Sequence, residues 1–96
     1  MSLKFSREYK RIIDELASAL LVIEDIYSFL NMEKNIWEKF QDEERKELIK
    51  TLADDIFYGL GQEPLMEIGE DKVQYSKEKS EIYIISKDNI IKTVKL

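Results

Sequence analysis

From Ser6 onward, Tyr9, Ile13, Leu16, Leu20, Ile23, Tyr27 and Leu30 recur at alternating spacings of four and three residues. That rhythm holds them on one stripe of an α-helix and commits the first third of the chain to a buried helical face. Ser6 precedes the run as an N-cap able to accept a free amide, with Phe5 before it as a staple residue and Asn31 as the stop. The spacing predicts a helix over about 6–31, roughly seven turns long. Ile12, Ala19 and Ile26 widen the stripe, and Leu21, Val22 and Phe29 add a second apolar side that needs cover of its own.

A short segment follows in which Asn35 caps a turn carrying Ile36, Trp37 and Phe40, predicting a connecting helix over about 35–40. Asp42, Glu43 and Glu44 then place negative charge where a helix N-terminus favours it. Leu48, Ile49, Leu52, Ile56, Phe57 and Leu60 form the next stripe, so a second long helix is expected over about 42–59. Gly59 and Gly61 offer positive φ after its last turn, and Pro64 prevents it from resuming.

After a mixed linker, Leu65 to Asp71, the residues become β-branched and aromatic over about 73–76, 81–86 and 90–95, which predicts three strands. Lys77 to Ser80 and Lys87-Asp88-Asn89 connect them, with Asn89 expected to take the left-handed conformation. Connections this short imply antiparallel pairing. The expected fold is α+β: two long antiparallel helices plus a short connecting helix, packed on a three-stranded antiparallel meander as two layers in a single domain over 4–96. Met1, Ser2 and Leu3 are left out of that reading.

The last hairpin carries an unusual feature. With a three-residue loop, Ile82, Ile84, Ile90 and Val94 share one face and Tyr83, Ile85, Ile91 and Thr93 the other. A two-residue loop sorts Tyr83, Ile85, Ile90 and Val94 against Ile82, Ile84 and Ile91. Both faces are apolar in either register. The helices of one chain cover only one face of so small a sheet. The second face is therefore either wrapped by Leu65, Met66 and Ile68 or offered to another molecule, and Tyr83, Ile85 and Ile91 are the candidate interface residues.

Composition narrows the chemistry. Without Cys or His, the 96-residue chain has no disulfides, thiolate or imidazole metal ligands, thiol nucleophile or imidazole base, and no cofactor is expected. The longest uninterrupted apolar stretch, a handful of residues that includes Leu20 to Ile23, is far too short to span a membrane, so a cytoplasmic protein is expected. Charge is uneven: residues 1–71 carry 9 basic and 17 acidic side chains, whereas residues 72–96 carry 6 and 3. Such an acidic balance argues against a phosphate-backbone partner. The lysines Lys77, Lys79, Lys87, Lys92 and Lys95 read instead as protection of strand edges and turns, despite the base-stacking potential of Tyr75 and Tyr83.

Local motifs for chemistry are thin. Gly59-Leu60-Gly61 follows a helix and meets Pro64 where a dinucleotide fingerprint needs its third glycine, so it reads as a stop signal. Glu24-Asp25 and Asp54-Asp55 are neighbours about 100° apart on a helix and read as solvated carboxylates. Glu70-Asp71-Lys72, with Asp54 or Asp55 upstream, resembles in three residues the acidic-plus-lysine arrangement of metal-dependent nucleases.

The expectation from sequence is a small acidic, non-enzymatic interaction or regulatory protein that binds another protein, or itself as a homodimer, through the second face of the sheet. One alternative is an acidic inhibitor of a basic enzyme, in the manner of antitoxins and immunity proteins. In it Glu43, Glu44, Glu47, Asp54 and Asp55 steer the cationic partner. The other is a metal-dependent nuclease-like enzyme.

Overall fold

A computed structural model describes residues 5–96; Met1 to Lys4, including the first residue of the expected domain, lie outside the described residues. Three α-helices, α1 (Tyr9–Leu20), α2 (Lys34–Trp37) and α3 (Asp42–Leu60), precede four strands, β1 (Leu65–Ile68), β2 (Asp71–Ser76), β3 (Glu81–Ser86) and β4 (Asn89–Lys95). A 3-10 helix over Ile26–Leu30 lies between α1 and α2. The strands form one antiparallel sheet in the order β1-β2-β3-β4. Contacts of Asp14 with Lys46 and Lys50, and of Tyr9 with Asp54 and Phe57, show that α1 and α3 run antiparallel. They pack together against the sheet, α1 over β4 and α3 over β1.

The first helix is half its expected length. Past Leu20 the hydrogen bonds tighten to i−3, from Val22 to Ala19, from Ile23 to Leu20 and from Ile26 to Ile23, and the chain bends into the 3-10 segment. A 12-residue helix covers about 18 Å, close to the length of a six-residue strand at about 20 Å. A straight helix to Asn31 would carry Ile23 and Ile26 past the end of the sheet. The bend keeps both in the core, and Asn31 ends the 3-10 turn in the left-handed region. The expected second side is covered only in part: Leu21 packs half-buried against the core, whereas Val22 and Phe29 are exposed.

Ser6 does not cap α1. Glu8 occupies the N-cap position, while Ser6 and Arg7 donate to the carbonyls of Leu96 and Lys95, tying the chain before α1 to the end of β4. Phe5 lies on Tyr9 and Phe57, with ring centroids 5.8 and 5.6 Å away. The connecting helix spans Lys34–Trp37 rather than 35–40, and Asn35 bonds only to the next amide, that of Ile36. Trp37 is buried beneath the Arg45 guanidinium, 5.4 Å from its ring centre.

α3 begins as its charge pattern requires, with Glu44 accepting the Gln41 amide at 2.9 Å in a capping box. It ends at Leu60 without a left-handed residue: Gly61 has φ −68°, and Gly59 serves another purpose. The Met66 sulfur lies 3.1 Å from where a Cβ on Gly59 would sit, so the missing side chain admits β1 against the helix.

That strand is the main departure in the sheet. Leu65–Ile68 was expected as linker and instead pairs with β2, Met66 opposite Val73 and Glu67 opposite Lys72. Gly69 turns the chain with φ +62°, positive φ at the first of two loop residues being the glycine-requiring pattern of a tight hairpin. In the last hairpin, Lys87 and Asp88 take the left-handed region in place of Asn89, whose side-chain amide donates to the Lys87 carbonyl. The loop therefore has two residues, and a bulge follows: Ile85 pairs with Ile90 and Ile84 with Lys92, leaving Ile91 unpaired.

One cluster joins the layers. Val73, Ile82, Ile84 and Val94 from the sheet, with Ile68 and Leu96, meet Ile12, Leu16, Leu20, Ile49, Ala53, Ile56 and Leu60 from the helices. Burying each of the larger aliphatic side chains is worth roughly 1.5–3 kcal/mol.

Candidate functional site

The bulge decides which residues face away from the helices. A two-residue loop alone would send Val94 to the face of Tyr83; the extra residue at Ile91 restores it opposite Ile82, in the core. The outer face then reads in rows across the strands. Glu67, Lys72, Ile85 and Ile90 form one row; Leu65, Gln74, Tyr83 and Thr93 the next; Ser76, Glu81 and Lys95 the third.

Of the expected interface residues, Tyr83 and Ile85 share this face, two apart on β3. Ile91 is the unpaired residue of the bulge on the edge strand, and Ile90 stands opposite Ile85. Ile90 is 57% exposed and Leu65 45%. Leu65, Met66 and Ile68 do not wrap the face. Leu65 lies on it, whereas Ile68 is buried on the opposite side and Met66 packs against the core.

The polar groups of the face are ordered by sign. The Tyr83 hydroxyl donates to Glu81 at 2.6 Å, and that bond, with partial desolvation, holds the phenol above its ordinary pKa and keeps it neutral. Glu67 and Lys72 stand directly opposite one another across β1 and β2, as Glu81 and Lys95 do across β3 and β4. Among the described residues, none of Glu67, Lys72, Glu81 and Lys95 makes an ion pair within 4.0 Å.

The five carboxylates assigned to a basic partner are not one surface. Glu43, Glu47 and Asp54 fall on one stripe of α3, while Glu44 and Asp55 lie on another about 100° away. Three are already engaged: Glu44 in the capping box, Glu47 with Lys50 at 3.0 Å, and Asp54 accepting the Tyr9 hydroxyl. Lys46 and Lys50 interrupt the field and both reach Asp14, whose carboxyl they hold below its usual range, chiefly through the Lys46 hydrogen bond.

Nor does the nuclease-like set assemble. Asp54 lines a cleft between α1 and α3 with Tyr9, Lys10 and Thr51. Glu70 and Asp71 lie elsewhere, in a hollow shared with Glu24, Asp25, Lys34 and Lys87. That hollow was hidden from sequence, because its residues come from segments some 45 positions apart. Its one sequence signal is Gly69, where a Cβ would sit 2.8 Å from an Asp25 carboxylate oxygen. Among the described residues no group of three or more acidic side chains is arranged to hold a metal ion. Nor is any helix among them long and apolar enough to cross a membrane.

Compared with models of known protein families, with curated proteins and with solved structures, the chain finds no match.

Proposed function

We propose that this chain is a non-enzymatic protein-interaction module that docks through the outer face of its sheet. The supporting observation is the cluster of β-branched and aromatic side chains there, Tyr83, Ile85 and Ile90, on the face that the helices leave uncovered. A strand face destined only for solvent alternates with polar residues; β3 instead reads Ile-Tyr-Ile-Ile, apolar on both sides.

The test is site-specific photo-crosslinking in the cell that makes the protein, with the crosslinker at position 83, at 90 or at 47 on α3. Protein adducts from positions 83 and 90, and none from 47, are expected. Adducts from position 47 alone would overturn the reading in favour of an acidic helix face that meets a basic partner.

A further inference from the structure

The sheet ends at β4, and that edge lies beside a groove. β4 runs under α1. Between them Glu15, Ser18 and Ala19 of the helix and Lys92, Thr93 and Val94 of the strand line a hollow of about 220 Å³ that is open to solvent. It is smaller than the roughly 300–1,000 Å³ of a small-molecule pocket and suits a chain laid along the strand. Independently of the outer face, we infer that this edge takes up an extended acidic segment of another protein as a fifth strand, with two carboxylates three residues apart set against Lys92 and Lys95.

The phase of the ladder leaves Thr93 open. Leu96 donates its amide to the Ser80 carbonyl at 3.0 Å, so Leu96 is turned toward β3. Backbone groups of an antiparallel edge strand alternate between the neighbouring strand and the outside. Val94 is therefore turned toward β3, while Thr93 and Lys95 point amide and carbonyl outward. At one end the outward groups are already in use: the Lys95 carbonyl accepts the Arg7 guanidinium at 2.9 Å. No backbone donor or acceptor among the described residues meets the outward groups of Thr93. An edge amide and carbonyl of this kind are the template on which an extended chain pairs.

Charge selects the occupant. β4 carries Lys92 and Lys95 and no acidic residue, and neither lysine makes an ion pair within 4.0 Å among the described residues. The nearby carboxylates are engaged elsewhere, Glu15 by Arg7 and Glu81 by the Tyr83 hydroxyl. A second copy of β4 fits poorly. In an antiparallel pairing about a two-fold axis at Lys92, Thr93, Val94 or Lys95, one of the two lysines stands directly opposite or diagonally beside its own counterpart. Edge lysines bar such self-pairing but attract a strand of opposite charge. Lys92 lies opposite the buried Ile84 and Lys95 opposite Glu81, so the two project to opposite faces of the strand. A strand that answers both carries carboxylates at the same spacing, one of them facing the groove, where Ser18 and Ala19 leave room.

The probe is the peptide acetyl-Thr-Glu-Val-Thr-Glu-Val-amide, titrated into the isotope-labelled chain and followed by amide NMR. Shifts should concentrate at residues 92–95 and 15–19. Exchange of the Thr93 amide with solvent should slow about tenfold at about 90% saturation, because only the free fraction then exchanges. Lys92→Glu should weaken binding about tenfold, since a repulsion replaces an attraction. The same peptide with lysines in place of its glutamates should bind that variant more tightly than it binds wild type. Thr93→Pro removes the outward amide at a position where an edge strand tolerates proline, so far-UV circular dichroism should persist and binding should disappear.

No shifts along β4, or shifts without protection of the Thr93 amide, would overturn the added strand. Equal binding of the glutamate and lysine peptides would overturn the acidic assignment. A Thr93 amide already protected before peptide is added, in a chain that sediments as a dimer, would give the edge to a second copy. Should Thr93→Pro fail to fold, Lys92→Glu and the wild-type protection decide between these outcomes.

Discussion

The two faces of the sheet are built from the same kinds of residue and have different fates. On the inner face Val73, Ile82, Ile84 and Val94 are at most 2% exposed, beneath α1 and α3. On the outer face Ile85 and Ile90 are an opposed isoleucine pair with no layer above them among the described residues. Composition does not separate the faces; cover does. Isoleucines on the covered side hold the fold together, whereas those on the open side contribute little to it and are free to recognise something else.

Truncation on the two faces tests this contrast most strongly. Ile84→Ala should lose about 2–5 kcal/mol of unfolding free energy by urea denaturation, through lost burial and the cavity left behind. Ile85→Ala, one residue along, should lose less than about 1 kcal/mol when measured on the monomer. Equal losses would mean that the outer face is covered within the chain, and the comparison would collapse.

A smaller effect is expected where the covered side turns toward the hollow. Gly69→Ala should cost about 1–2 kcal/mol, because the methyl group must adopt positive φ and displace the Asp25 carboxylate. In an Asp25→Ala background the steric part should disappear and the φ penalty remain. A full-sized loss in both backgrounds would show that Asp25 yields without cost.

Next comes the seam between α1 and α3, where Tyr9→Phe removes the hydroxyl that Asp54 accepts. A loss of about 0.5–1.5 kcal/mol is expected, with the T-shaped packing on Phe57 intact. No change in the denaturation midpoint would assign the hold of Tyr9 to its ring alone.

The smallest effect is electrostatic. Asp14 and Glu15 are held below the usual carboxylate range, by the Lys46 and Arg7 hydrogen bonds respectively. A depressed folded-state value contributes stability that is complete above the ordinary carboxylate range and disappears as pH falls through the lower folded-state value. Asp14→Asn should therefore flatten the acid limb of the stability curve, and high salt should narrow the difference from wild type, because both carboxylates lie near solvent. An acid limb identical in wild type and variant would show that the lysines do not stabilise the carboxylate.

Much of this architecture was legible in the chain. The stripe from Tyr9 to Leu20, the acidic start of α3, and the β-branched segments around Val73, Ile84 and Val94 all specify their elements locally. The misses share a cause, which is that the deciding contact lies elsewhere. Ile23, Tyr27 and Leu30 continue the helical rhythm faithfully, and only the finite length of the sheet explains the bend at Leu21. Leu65–Ile68 is too short to announce itself as a strand and becomes one because the Gly69 turn delivers it to β2. On the candidate face, Tyr83 and Ile85 could be read from alternation, but the pairing of Ile90 with Ile85 depends on a bulge that no local pattern reveals.

That bulge makes Ile91 the spare residue of the last strand. Substitution at this position changes one side chain, and deletion of it would leave a regular ladder in which Ile85 still faces Ile90 and Ile82 still faces Val94, whereas a residue added between Lys92 and Val94 would turn Val94 outward. The last strand should therefore tolerate the loss of one residue far better than the gain of one.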